Sequence, residues 1–126
     1  MSHFLLSRRG SSASPVLAAD GRFGEEALML MLRELRTAGV QTRRCEAKIF
    51  GGGSMFPGVP VTSSIDVGRQ NGVAARAMLK SCRIPVVSES LFGIGHRQII
   101  FEIETGEVWA RQVPLTDRAR LAVLSA

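Results

Sequence analysis

Tyrosine is absent from this chain, tryptophan occurs once and cysteine twice. No apolar run reaches membrane-spanning length; the longest, around Ala27–Leu32, is short and runs into charge. The sequence therefore argues against membrane insertion. It also lacks a secretory pattern at its start, because Arg8 and Arg9 follow the short apolar stretch Phe4–Leu6 instead of preceding a long one. Cys45 and Cys82 stand far apart without metal-ligand spacing, so they read as reduced thiols of a cytoplasmic protein, with no metal site and no cofactor implied. Aromatic side chains make up only 6% of residues and do not interleave with the basic ones. A nucleic-acid binder of the stacking type needs that interleaving, which argues against nucleic acid as the partner.

The chain does carry enough apolar residues for one folded domain, 45% of 126. We read residues 1–126 as that single domain. Its net charge of +5 favours an acidic partner surface without choosing one. Gly10–Pro15 reads as a small polar loop. Ala27, Leu28, Met31, Leu32, Leu35 and Ala38 recur at helical spacing, which predicts a helix from about Phe23 to Ala38 with Arg33, Glu34, Arg36 and Thr37 facing outward. Gly39 stands where a left-handed cap would end it. Cys45, Ala47 and Ile49 alternate with Arg44, Glu46 and Lys48, the period of a half-buried strand over Arg44–Phe50. A loop through Pro57 and Pro60 follows. A second helix is expected over Val67–Cys82 with Asp66 as N-cap. Ile84–Val87 reads as a short buried strand. Gln98–Ile103 and Glu107–Val113 read as a hairpin turning at Thr105-Gly106. From Thr116 the tail reads as a short helix or a frayed end. Mixed helices and strands with a terminal hairpin give a layered α/β or α+β domain.

Chemistry is concentrated in few places. A histidine such as His3 can act as a general base because its pKa lies near working pH, although one at a chain start is ordinarily a surface residue. His96 is read as incidental. The run Gly51-Gly52-Gly53 could present backbone amides to an anion, but the lysine and hydroxyl of a phosphate loop are missing. Cys45 on the buried side of its strand and Cys82 at a helix end lack the electropositive, accessible setting of a reactive thiol.

Several segments carry a resemblance. Met1-Ser2-His3-Phe4-Leu5-Leu6, the ten residues Ala47-Lys48-Ile49-Phe50-Gly51-Gly52-Gly53-Ser54-Met55-Phe56, Val67-Gly68-Arg69-Gln70-Asn71, Gly93-Ile94-Gly95-His96-Arg97 and Thr105-Gly106 are similar to segments of the chemoreceptor glutamine deamidases, the CheD proteins of bacterial chemotaxis. The resemblance runs from His3 to about Val113. Ser7, Gln70, Phe92 and His96 depart from it; Phe92 and His96 each stand where the family has glycine, and Ser7 stands where it has proline.

The resemblance implies a layered α/β sandwich of the cysteine-hydrolase type, a mixed sheet with two main helices and a C-terminal hairpin. It implies hydrolysis of glutamine side chains on methyl-accepting chemotaxis receptors, with His3 as the catalytic histidine. Lys48, Phe50, Gly51 and Gly52 would line the substrate cleft. The family's nucleophilic cysteine lies upstream of that histidine, and no such motif is found in these residues. The expectation is therefore a member lacking its nucleophile segment and N-terminal strands, inactive as given. The alternative is a non-catalytic module that binds chemoreceptors or a CheC-type phosphatase.

Overall fold

A computed structural model describes residues 1–10, 18–55, 58 and 66–115. The expected polar loop after Gly10, much of the Pro57–Pro60 loop and the tail from Thr116 lie outside these residues. The elements run α1 (Gly24–Thr37), a 3-10 turn (Thr42–Arg44), β1 (Ala47–Gly51), α2 (Val67–Ser81), β2 (Val86–Leu91), β3 (His96–Phe101) and β4 (Val108–Val113). The architecture is α/β. β1 pairs with β2, and β3 with β4. The Ala47 N–H donates to the Pro85 carbonyl at one end of the β1–β2 pair and the Phe92 N–H to the Gly51 carbonyl at the other, so these strands run parallel. A parallel pair needs a long crossover, and α2 lies within it.

α1 begins one residue later than its periodicity predicts, because Phe23 takes an extended conformation. Phe23 offers no side-chain cap. The open N–H groups of Gly24 and Glu25 donate instead to the Leu6 and Ser7 carbonyls, at 2.7 and 3.2 Å. Glu25 and Glu26 in the first turn and Arg36 in the last suit the helix dipole. The C-terminus closes as the sequence predicts. Gly39 has φ +80°, its N–H donates to the Arg36 carbonyl, and Val40 reaches back to Leu35.

α2 starts at the expected cap, where the Asp66 carboxylate accepts the Arg69 N–H at 3.0 Å. It stops one residue short of Cys82. Arg83 takes φ +56°, donates to the Lys80 carbonyl, and lets Ile84 donate to Leu79. This is the closure of α1 repeated with an arginine in the position that favours glycine, and Leu79 and Ile84 both enter the core.

Two strand boundaries differ from expectation. β1 starts at Ala47, not Arg44, because Thr42–Arg44 winds into a 3-10 turn closed by the Arg44 and Cys45 N–H groups. The alternation still holds, with Ala47 and Ile49 half-buried and Lys48 exposed. β2 starts at Val86 and continues to Leu91, so Ile84 is a buried residue before the strand and Val87 is exposed. The hairpin follows prediction more closely, but its strands end at Phe101 and begin again at Val108. Ile103 lies in the turn, 85% exposed, and does not extend the strand.

The chain divides into two compact units, Met1–Ile49 with Val73–Glu89, and Phe50–Gly72 with Ser90–Ala126. In the first, Leu32, Leu79 and Ile84 form a buried cluster, flanked by Leu28, Leu35, Cys45, Ala47, Ile49 and Val86. In the second, the β3–β4 hairpin pairs from His96 with Val113 to Phe101 with Val108.

Candidate functional site

His3 and Lys48 belong to the first unit, Phe50, Gly51 and Gly52 to the second. His3 is exposed on the N-terminal segment. The next residue fixes that segment, since the Phe4 ring lies against Gly24, where a Cβ would meet it at 3.1 Å and the Met78 methyl at 3.0 Å. Downstream, the Leu5 and Leu6 N–H groups both donate to the Arg22 carbonyl, and Leu6 bridges Phe23 in parallel. His3 is thus carried one residue before an anchor, on a strand-like segment stitched to the start of α1. A cavity of about 340 Å³ open to solvent is lined by Met1 and Ser2 of this segment with Gly21, Ala27, Leu30, Met31 and Glu34, and His3 is not in its lining.

Ion pairs hold the continuation of the segment. Arg9 makes a two-pronged contact with Glu26, at 2.6 and 3.1 Å, and stacks 4.8 Å above the Phe23 ring. The hydrogen bond from Arg9 lowers the Glu26 pKa from its ordinary value. The guanidinium of Arg22 likewise holds the Asp20 carboxyl down at about 2.

Lys48 and Phe50 share one face of β1, with Lys48 exposed and Phe50 half-buried. Beyond them the glycines serve close main-chain approach. A Cβ on Gly52 would lie 2.8 Å from the Gly68 carbonyl oxygen, one on Gly68 2.7 Å from that of Gly53, and one on Gly53 2.2 Å from that of Gly95. A Cβ on Gly95, itself at φ +93°, would lie 2.1 Å from the Val113 oxygen. No side chain fits at these crossings.

Arg97 ties the same region together. Its guanidinium donates to the Gly51 carbonyl at 2.9 Å, the Phe92 carbonyl at 2.6 Å and Ser90 Oγ at 3.0 Å. In the sequence Arg97 ends the segment Gly93–Arg97, where this role is not apparent. Its only signal was an arginine two residues after Gly95. Phe92, at a position where the resemblance implies glycine, takes φ +67°, the conformation glycine would favour. Its ring packs on Gly72 and lies 5.4 Å beneath the Arg69 guanidinium. The loop keeps a glycine-like backbone at a cost of order 1 kcal/mol, offset by ring contacts.

The cysteines occupy different settings. Cys45 is half-buried, with its Sγ 3.8 Å from the Gln41 carbonyl oxygen, and Cys82 is exposed just past α2. His96 is exposed at the start of β3. Among the described residues no group of three His, Cys, Asp or Glu side chains is placed to hold a metal ion, and no helix is long and apolar enough to cross a membrane.

A parallel strand–helix–strand followed in the chain by an antiparallel hairpin defines an α/β protein. The chain belongs to the CheD family, described as CheD chemotactic sensory transduction, whose pattern matches residues 5–112. It is 54% identical over 113 residues to a probable chemoreceptor glutamine deamidase, CheD 2, of Albidiferax ferrireducens, covering 90% of this chain and 65% of that protein. It is 36% identical over 109 residues to CheD 3 of Dechloromonas aromatica, covering 86% of this chain and 62% of the relative. A third relative, CheD of Ralstonia nicotianae, is 34% identical over 113 residues, 90% of this chain and 47% of its own length. The chain thus spans between about half and two thirds of the length of these relatives.

Proposed function

We propose that this chain provides the histidine-bearing part of a protein-glutamine deamidase acting on methyl-accepting chemotaxis receptors in the bacterial cytoplasm. The observation that carries this reading is its 54% identity, across 90% of its length, to a protein named as a probable chemoreceptor glutamine deamidase. His3 acts as the base. A thiol from sequence beyond these 126 residues gives its proton to the imidazole and attacks the carbonyl carbon of the glutamine side chain. The C–N bond breaks as the imidazole returns the proton to the departing ammonia. Water then hydrolyses the thioester, which leaves glutamate and restores the thiol. The anchoring of Phe4 at Gly24 supports this role, because a general base must be held in reach of its proton. Lys48, Phe50, Gly51 and Gly52 contribute to the cleft that receives the substrate.

The proposal separates two forms of the protein. The 126-residue chain, mixed with a receptor cytoplasmic fragment, should release no ammonia and produce no Gln-to-Glu mass change. A longer form that includes an upstream cysteine should do both, and His3→Ala in that form should remove most of the rate, because nucleophile and base act as a unit. Near-full activity of His3→Ala would remove His3 from the reaction. Cys45→Ser and Cys82→Ser should change stability more than rate.

A second reading, a receptor- or CheC-type-phosphatase-binding module without turnover, is favoured for the chain as it stands by the setting of Cys45, half-buried against the first unit's core. Receptor binding that weakens as salt rises, with no chemistry even in the longer form, would select it. The net charge of +5 is what would make such binding salt-sensitive.

A further inference from the structure

The two faces of the hairpin are unequal. Ile99 and Phe101 are 38% and 37% exposed, whereas Ile100 and Trp109, paired across the strands on the other face, are 69% and 53% exposed. That second face is a short ladder. At one end Gln98 pairs with Arg111, and Ile100 pairs with Trp109 in the middle. At the turn end the Glu102 N–H donates to the Glu107 carbonyl, which sets Glu102 opposite Glu107. All six residues are exposed.

The order is basic and amide, then apolar, then acidic, and it has a simple symmetry. The Glu102–Glu107 rung and the Gln98–Arg111 rung each lie two residues from the Ile100–Trp109 rung, about 7 Å along the strands. A two-fold axis through the apolar rung would lay Ile100 and Trp109 on their own counterparts. It would also bring each acidic rung against the basic rung of the other copy. The acidic rung has a reason to accept such a partner, since two carboxylates directly across a strand pair repel. Thr105 Oγ1 donates to one of them, Glu102, and supplies no charge.

We propose that this face is a self-complementary docking surface, and that its occupant is a second copy of this chain in antiparallel two-fold contact. An isologous contact of this kind closes on itself and gives a dimer, not a filament. The charge pattern is what singles out a copy of the chain, because the apolar rung alone would accept any apolar surface.

Trp109 is the only tryptophan, so its emission reports this face directly. Sedimentation of the 126-residue protein over a wide concentration range should show a monomer–dimer equilibrium, with Trp109 emission moving to shorter wavelength in step. Arg111→Glu places acid against acid and should weaken the dimer about tenfold or more. Glu107→Arg combined with Arg111→Glu restores the complementarity, because the axis sets Arg111 against Glu107 of the other copy, and should recover most of the loss. Circular dichroism of each variant controls for folding, and the unmodified protein alone decides the matter if a variant unfolds. A monomer at every concentration with solvent-like Trp109 emission would overturn the proposal. So would a monomer in which Trp109 is already shielded, or a dimer indifferent to Arg111→Glu. A protein that stays monomeric until a receptor fragment shifts its Trp109 emission would assign the face to that partner instead.

Discussion

In the first unit, Leu32, Leu79 and Ile84 hold the structure by filling space; in the second, Gly52, Gly53, Gly68 and Gly95 hold it by leaving space empty. The apolar cluster gains from every methyl group removed from water. The glycine crossings gain from main chains that approach closer than any Cβ allows. The two regions should therefore fail under opposite substitutions. The first is damaged by making side chains smaller, the second by making them larger.

The largest effect should come from the second unit. Gly95→Ala combines a Cβ 2.1 Å from the Val113 oxygen with a backbone at φ +93°. We expect a loss of roughly 4 kcal/mol or more, enough to prevent stable folding of a marginal domain. A urea midpoint close to the parent's would show that the crossing can relax, and would weaken the contrast. Next, Leu32→Ala in the first unit should cost about 3 kcal/mol through lost burial and a residual cavity. The check is a lower denaturant midpoint at unchanged slope, and a loss below about 1 kcal/mol would mean that the cluster collapses around the gap. Asp66→Ala removes the N-cap of α2 and should cost about 1 kcal/mol, measured in the same way.

The smallest effect concerns pH. Arg22 lowers the Asp20 pKa from 3.8 to about 2, and Arg9 lowers that of Glu26. A depressed folded-state pKa contributes stability above the unfolded-state value, and that contribution disappears as pH falls through the folded-state one. Asp20→Asn should therefore flatten the decline in melting temperature between pH 3.8 and about 2, while changing little at neutral pH. The pair is on the surface, so the effect is modest and should shrink further with salt. An unchanged acid limb in the variant would show that Asp20 has no share in it.

The same contrast explains what could be read in advance. α1, α2 and the hairpin were legible because side-chain periodicity and capping chemistry write them into the residue order: Leu28, Leu32 and Leu35 on one helix face, Gly39 after it, Asp66 before the next helix. The glycine crossings were not, because a residue without a side chain leaves no periodic trace. Gly51-Gly52-Gly53 read as cleft lining or as a tight turn, and residue order alone did not separate the two. The start of β1 was misplaced since Arg44 and Cys45 fit the strand alternation, yet their N–H groups close a 3-10 turn. Of the candidate site, His3 was visible through family resemblance alone. Besides the Phe4 ring, its support comes from the Leu6 and Ser7 carbonyls accepting the first N–H groups of α1, main-chain bonds that could not be read from side-chain types.

That support has a consequence for amide hydrogen exchange. The first N–H groups of a helix normally exchange freely, because they have no partner within the helix. Here the Gly24 and Glu25 amides are engaged by a segment eighteen positions earlier in the chain, with Gly24 bonded to Leu6 and Glu25 to Ser7. Their protection therefore measures how firmly residues 4–7 are seated, not how stable α1 is. An N-terminal tag or a cleavage after Ser7 should deprotect these two amides while those in the middle of α1 remain slow. Deuterium uptake at Gly24 and Glu25 becomes a local gauge of whether His3 is held in place, readable without any substrate.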